Sequence, residues 1–212
     1  LNLFVVVESG DHHVTIMNGD TFEPITRFES RFALHGGPKY PPNGRFVYFG
    51  SRDGWVTKYD LYGLTVVAEV RAGINMRNIA ISHDGKVLAA ANYLPHSLVL
   101  LDAEDLSPIK IIPTLDAGKE NTSRVSAVYQ AAPRSSFVVA LKDIPELWEI
   151  SYAEDPPPVF GGLVHSHEKG MVEGLADTGP FAIRRIELSQ PLDDFFFTPS
   201  YAEVMGSARD GT

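Results

Sequence analysis

The chain has 212 residues, no cysteine and a formal net charge of −9, with 44% hydrophobic and 21% charged residues. Lack of cysteine excludes disulfides, thiolate-ligated zinc, iron–sulfur clusters and covalent c-type haem attachment, and the negative charge with no basic run argues against a nucleic-acid partner. No apolar run reaches the roughly 18 residues that a membrane-spanning helix needs.

Residues 1–7 read as a strand, because no small-residue cleavage site follows them; an export signal is not expected within this chain. Short apolar runs at residues 4–8, 14–17 and 24–28 predict three strands. Residues 45–50 and 55–61, joined by the Arg52-Asp53-Gly54 turn, open the clearest unit. Residues 66–70 continue it, and residues 79–82 are expected as its fourth strand, ending at the His83-Asp84-Gly85 turn. Residues 86–91, 98–102 and 109–112 repeat the series, a step of 41 positions from Phe46 to Val87. Residues 136–140 and 147–150 make another copy, and residues 202–207 begin one more.

A repeat of about 40 residues carrying four short strands is the pattern of a β-propeller blade. The expected fold is therefore all-β, a propeller of four-stranded antiparallel blades. The chain holds about four units and the first strand of a fifth, and stopping in mid-repeat at Arg209-Asp210-Gly211-Thr212 would leave an unpaired edge. Residues 1–212 are thus expected to be one partial propeller, with C-terminal blades missing. Residues 113–124 and 152–179 break the pattern with polar, Pro-rich and Gly-rich sequence, which predicts loops at the propeller faces.

Seven histidines are the candidate metal ligands. His83 sits in a turn and is expected to be solvated; His12 and His13 occupy a hairpin tip and are expected at the surface. His165 and His167, two apart, would share a strand face but have no clear carboxylate partner. His96 follows a proline in a loop. His35 differs, because Gly36-Gly37-Pro38 strips the side-chain bulk beside it and lets a flat group approach the backbone. A structural histidine bonding a loop carbonyl and a metal ligand both fit that pattern. Arg52 and Arg77, read as lying in turns of one blade, and Arg124, at the end of a loop, would suit a polyanionic ligand if they converge. Tyr93 would stack on such a ligand or fill a gap between blades. No Gly-x-Ser-x-Gly, phosphate loop or His-Glu-x-x-His is present, so hydrolase and nucleotide chemistries have no support.

Several runs, in the same order, resemble the haem d1 propeller of the cytochrome cd1 nitrite reductase family. They are Leu34-His35, Gly44-Arg45-Phe46-Val47-Tyr48, Ser51-Arg52-Asp53-Gly54, Met76-Arg77-Asn78, Asn92-Tyr93-Leu94-Pro95, Ser123-Arg124-Val125 and Leu141-Lys142. The resemblance implies an eight-bladed propeller, of which this chain is about half. It implies His35 as the proximal ligand of the haem d1 iron, Arg52 and Arg77 on the carboxylates of the macrocycle, and Tyr93 lining the pocket. Lys39, one position past a family arginine, Asn78 and Arg124 complete the implied cofactor contacts. Ser9 stands where the reductases place a further haem-contacting arginine.

In Pro191-Leu192-Asp193-Asp194-Phe195-Phe196-Phe197, Asp193 takes the place of a distal histidine that donates protons to nitrite. An aspartate with a reference pKa of about 3.9 is proton-poor at neutral pH. This run and Leu34 to Lys39 look closer to the dihydro-haem d1 dehydrogenase branch, whose distal histidine would lie beyond Thr212. The function so implied is oxidation of dihydro-haem d1 to haem d1, the last step of haem d1 biosynthesis, in the periplasm. A c-type haem on a separate domain or partner cytochrome would take the electrons. A homodimer is left open by the sequence, and the separate fragment is expected to be empty and inactive. The alternatives are nitrite reduction to nitric oxide in denitrification, a non-catalytic haem d1 carrier or assembly protein, and, from the fold alone, a protein-interaction propeller of WD40 or YVTN type.

Overall fold

A computed structural model describes residues 2–160 and 176–208. The apolar runs form short antiparallel strands that are grouped sheet by sheet along the chain. The first sheet is β1 (Leu3–Glu8), β2 (His13–Asn18) and β3 (Pro24–Glu29), in that order; the second is β4 (Phe46–Gly50), β5 (Trp55–Asp60) and β6 (Thr65–Arg71). The third sheet has four strands, β7 (Asn75–Ile81), β8 (Val87–Leu94), β9 (Ser97–Asp102) and β10 (Pro108–Pro113), each paired with the next. The fourth contains β11 (Val125–Ala131), β12 (Ser136–Leu141) and β13 (Glu146–Ser151), and is closed by β16 (Ile183–Glu187) after an excursion that carries the small hairpin of β14 (Val159–Phe160) and β15 (Ala176–Asp177). A fifth sheet opens with β17 (Leu192–Phe197) and β18 (Val204–Ala208). This is the β-propeller read from the repeat.

Burial follows position within a blade. The middle strands β8 and β12 are apolar almost throughout and are buried on both faces, because a neighbouring sheet covers each side. The outer strands β6 and β10 are largely exposed. Each core seam lies between consecutive sheets. Val14 and Ile16 meet Val47, Phe49 and Tyr59; Tyr48 and Val56 meet Met76, Ile79 and Leu88; Ala89, Leu98 and Leu100 meet Val128, Phe137 and Trp148; Ala140 and Leu147 meet Phe195.

Three readings of the sequence change. The strand at residues 79–82 does not close the second sheet: β7 pairs with β8 and is the innermost strand of the third. Residues 72–74 carry the chain from one blade's outer edge to the next blade's inner edge, anchored where the Ala72 and Gly73 N–H groups donate to the Gly54 carbonyl at 2.8 and 3.3 Å. The run at residues 202–207 is the second strand of the fifth sheet, not its first, because residues 192–197 pair with it. Strands β11 and β16 carry no turn signal sharp enough to reveal them in the sequence. His165, His167 and the Arg209-Asp210-Gly211-Thr212 end lie outside the described residues.

In the second blade the innermost position is taken by irregular chain. Residues 34–39 bridge to β4 at Leu34–Ser51 and Lys39–Tyr48, and the His35 N–H donates to the Gly50 carbonyl at 2.9 Å. Gly36 and Gly37, at φ of +81° and +71°, break the ladder between those bridges, a conformation that L side chains rarely take. The segment carrying His35 is therefore pinned to the blade at both ends and bent in the middle.

Two predictions follow from this packing. A Cβ on Gly54, whose φ is +90°, would lie 2.1 Å from the Gly73 carbonyl oxygen. Gly54→Ala should cost about 3 kcal/mol or more in urea unfolding, whereas Gly10→Ala, with open space around it, should cost far less. Asp60, buried, accepts from the Arg45 guanidinium at 2.7 Å and from the Tyr62 N–H at 2.9 Å. The Arg45 hydrogen bond is the main cause that holds its carboxyl down at about 2. Its contribution to stability is complete above the unfolded value near 3.8 and is lost as the pH falls through about 2. Asp60→Asn should remove that part of the acid-unfolding curve, read by circular dichroism between pH 5 and about 2.

Candidate functional site

The chain direction puts one set of loops on one face of the blades. Innermost strands start there, and so do the β1–β2, β4–β5, β8–β9 and β12–β13 hairpins. Ser9, His35, Arg52, Arg77, Tyr93, Arg124 and Lys142 all lie toward this face, and His83 is exposed at a turn on the other.

Three inner strands carry a bulge at their starting ends. In β7 the pairing passes from Met76–Asn92 to Asn78–Ala91 and skips Arg77. In β11 it skips Ser126, and in β17 it skips Asp193. A bulge leaves one residue outside the ladder and re-aims its groups. Arg77 is thus neither in a turn nor in the blade of Arg52, as the sequence suggested; it is the bulged residue of the next blade. Its freed carbonyl meets His35.

The His35 Nδ1 lies 2.7 Å from the Arg77 carbonyl oxygen, which can only accept, so Nδ1 carries the proton. In the neutral ring Nε2 then presents its lone pair, and Nη2 of Arg52 and Nη1 of Arg77 converge on it at 3.1 Å each. Burial pushes the His35 pKa down; the hydrogen bond to the Arg77 carbonyl opposes this, and the two guanidinium charges add to it. The neutral form is favoured, which is the form that ligates metals. The ring forms one wall of a cavity of about 230 Å³ together with Val7, Ser9, Gly37 and Phe49.

Of the two readings of His35 left open by the sequence, the hydrogen bond to a backbone carbonyl is seen, while the other ring nitrogen faces Arg52 and Arg77. That is the arrangement in which a protein-bound imidazole is oriented as a metal ligand by its second nitrogen. Among the described residues no three His, Asp or Glu side chains gather as a metal cage. Gly36 packs within the protein, since a Cβ there would lie 2.6 Å from that of Asn78, whereas a Cβ on Gly37 would meet only Lys39 Nζ at 3.9 Å.

The other expected contacts fall into two groups. Lys39 folds back so that its Nζ donates to the Gly36 carbonyl at 2.5 Å, and burial lowers its pKa. Asn78 is buried with both ends of its amide engaged: its Nδ2 donates to the Val128 carbonyl at 2.9 Å and its Oδ1 accepts the Val128 N–H at 3.1 Å. It ties the third blade to the fourth. Tyr93 and Arg124 form a separate cluster, with Arg124 5.5 Å and Lys142 5.7 Å from the Tyr93 ring centre. Arg124 is bound at two points by Asp143, through Nε at 2.9 Å and Nη2 at 2.5 Å, and Lys142 by Asp193. Arg52, by contrast, has no carboxylate partner among the described residues.

Sequence reasoning gave no role to Lys142 or Asp194 and missed Tyr129. The Tyr129 hydroxyl donates to Asp194 at 3.0 Å, and Asp194 lies 3.4 Å from Arg77 Nη2. The second aspartate of the Asp-Asp pair was the only sequence signal for this link. His12, expected at the surface, is half-buried: its Nδ1 accepts the Ala33 N–H at 3.3 Å and its ring packs on Phe32 at 4.9 Å, bracing the approach to His35.

A dihydro-heme d1 dehydrogenase of Pseudomonas aeruginosa is 57% identical over 209 residues, 99% of this chain and 38% of that protein. Protein NirF of the same organism is 31% identical over 159 residues, 74% of this chain and 40% of NirF, and a nitrite reductase of Stutzerimonas stutzeri is 28% identical over 163 residues, 72% of this chain and 29% of that protein. Among solved structures, dihydro-heme d1 dehydrogenase NirN in complex with DHE superposes with a TM-score of 0.85 at 57% identity, covering 99% of this chain and 40% of that one. The β-propeller domain of Myceliophteria thermophila Cps50 (Swd1) superposes at 0.66 with 14% identity over 98% of this chain and 58% of that one, which shows the fold alone. The chain spans about two-fifths of the length of the dehydrogenase relatives. The cytochrome D1 heme domain model matches residues 1–167, the stretch that holds His35, Arg52, Arg77, Tyr93 and Arg124, and the chain belongs to that family.

Proposed function

We propose that this chain forms part of the haem d1-binding propeller of a periplasmic dihydro-haem d1 dehydrogenase, with His35 as the protein ligand to the iron. The observation that carries the proposal is the tautomer of His35. With Nδ1–H given to the Arg77 carbonyl, the Nε2 lone pair is fixed in direction; it accepts from Arg52 Nη2 and Arg77 Nη1 at 3.1 Å each, and an iron would take the place of those two hydrogen bonds. When bound, the iron macrocycle supplies the redox centre, and oxidation of dihydro-haem d1 to haem d1 releases two electrons and two protons.

The protein's part is to bind, orient and balance charge. Arg52, with no acid partner of its own, takes a carboxylate of the macrocycle, and a bidentate fork suits that group. Tyr93 and the cluster around it line the approach, with the cations there already answered by Asp143 and Asp193. Lys39 holds the bent loop through Gly36. Asn78 supports the site from beneath rather than touching the ligand. Electrons pass to a c-type haem on another domain or on a partner cytochrome, since this chain has no cysteine to attach one. Among the described residues no helix is long and apolar enough to cross a membrane. Nitrite reduction is less well supported, because Asp193, at the place of the proton-donating histidine, is engaged by Lys142.

In the full-length protein, His35→Ala should abolish the absorption change that haem d1 shows on binding, and His83→Ala should leave it intact. Unchanged affinity and spectrum in His35→Ala would contradict the assignment. Arg52→Gln should weaken binding about tenfold or more, as for a lost charge-assisted hydrogen bond. Arg124→Gln, whose charge is already met by Asp143, should weaken it less than about threefold, both read by titration with haem d1. Turnover of dihydro-haem d1 with a c-type cytochrome as acceptor then tests the dehydrogenase against a carrier that binds without reacting.

A further inference from the structure

We propose that Asp194, steadied by Tyr129, is a positioning residue for His35: it fixes the Arg77 guanidinium and offsets its charge where the imidazole lone pair meets the iron. This deepens the haem d1 reading above and rests on it.

Positive charge gathers at one nitrogen. Two guanidinium groups stand 3.1 Å from His35 Nε2. An iron bound at that nitrogen would add a third cationic centre, so an anion close to the cluster changes how tightly the iron is held. Asp194 is that anion. Its Oδ2 lies 3.4 Å from Arg77 Nη2, while Arg77 Nε donates to the Ser126 carbonyl at 3.0 Å. The guanidinium is thereby held at three corners by three blades: the bulge of β11, the start of β17 and the His35 segment beside β4. With two corners fixed by Ser126 and Asp194, the third can turn only toward the imidazole.

Asp194 is itself placed. Its Oδ1 accepts the Tyr129 hydroxyl at 3.0 Å and the Phe195 N–H at 2.9 Å. The Tyr129 ring packs edge-on against Phe195 at 5.0 Å, and Phe195 is buried in the seam between the fourth and fifth sheets. Burial, then the bond to Asp194, pushes the Tyr129 hydroxyl up to about 12, so it remains a donor. Ser126 links the same two strands, its Oγ donating to the Leu192 carbonyl at 2.7 Å. The carboxylate is therefore fixed by the packing of the fifth blade and not by Arg77 alone. At 3.4 Å, with Asp194 45% exposed, the ion pair is screened by solvent, and its effect is modest rather than large.

The test uses the full-length protein and the variants Asp194→Asn, Tyr129→Phe, Arg77→Gln and the double variant Asp194→Asn/Arg77→Gln. Without haem, ¹⁵N-arginine labelling follows hydrogen exchange at the Arg77 Nε–H, assigned by its loss in Arg77→Gln. Asp194→Asn should quicken that exchange about tenfold and Tyr129→Phe by less; no change in Asp194→Asn overturns the proposal. With haem d1, the ratio of ferric to ferrous affinity should fall about threefold in Asp194→Asn, because the uncompensated Arg77 charge opposes the more positive iron. The double variant, which removes both charges, should bring that ratio back toward wild type. Equal weakening of both oxidation states with no recovery in the double variant would mark Asp194 as merely structural and overturn the proposal. If exchange responds to Asp194→Asn but the wild-type protein takes up no haem d1, the positioning of Arg77 stands and the haem reading fails.

Discussion

The hydrogen bond from His35 Nδ1 to the Arg77 carbonyl is the contact on which the rest of the site depends. It crosses from one blade to the next, and it exists because a bulge takes Arg77 out of the β7–β8 ladder. A regular strand would have placed that residue in register, and the ring would have had no fixed acceptor. The same bulge sends the Arg77 side chain toward the outer nitrogen of the ring. One irregularity of the backbone thus orients the imidazole and places a cation at its tip.

The device recurs around the face. Ser126 and Asp193 occupy the matching bulges of the next two inner strands, and each serves the neighbouring blade: Ser126 through its carbonyl to Arg77, Asp193 through Lys142. The blades are held apart from this face by apolar seams and drawn together at it by polar contacts from unpaired residues. Asn78 does the same one layer deeper, bonding both backbone groups of Val128. Successive propeller blades supply such starting ends side by side, and so collect side chains from distant parts of the sequence at one face.

Much of the fold was legible in the sequence because the strands are short, apolar and bounded by turn residues. The 41-residue step from Phe46 to Val87 carried that information. Assignment of strands to blades was less legible: residues 79–81 look the same whether they close one sheet or open the next, and only pairing distinguishes the two. His35 stood out because glycines flank it, and the family resemblance then gave it a role. Arg77 was found but misplaced, since a bulge leaves no mark in composition. The link between Asp194 and Tyr129 was not legible, the two being 65 residues apart and joined only by the packing of β11 against β17. Arg124 and Asn78 illustrate the converse, residue types that suit a ligand but whose hydrogen-bonding groups are engaged within the protein.

The proposed haem site turns on a bond between His35 Nε2 and iron. Pulsed electron–nuclear double resonance on the ferric, haem d1-loaded full-length protein, with ¹⁵N-labelled histidine, measures that bond directly. A strong ¹⁵N coupling is expected, one that survives His96→Ala and vanishes in His35→Ala. The same coupling persisting in His35→Ala, from another histidine or from none of this chain's, would contradict it.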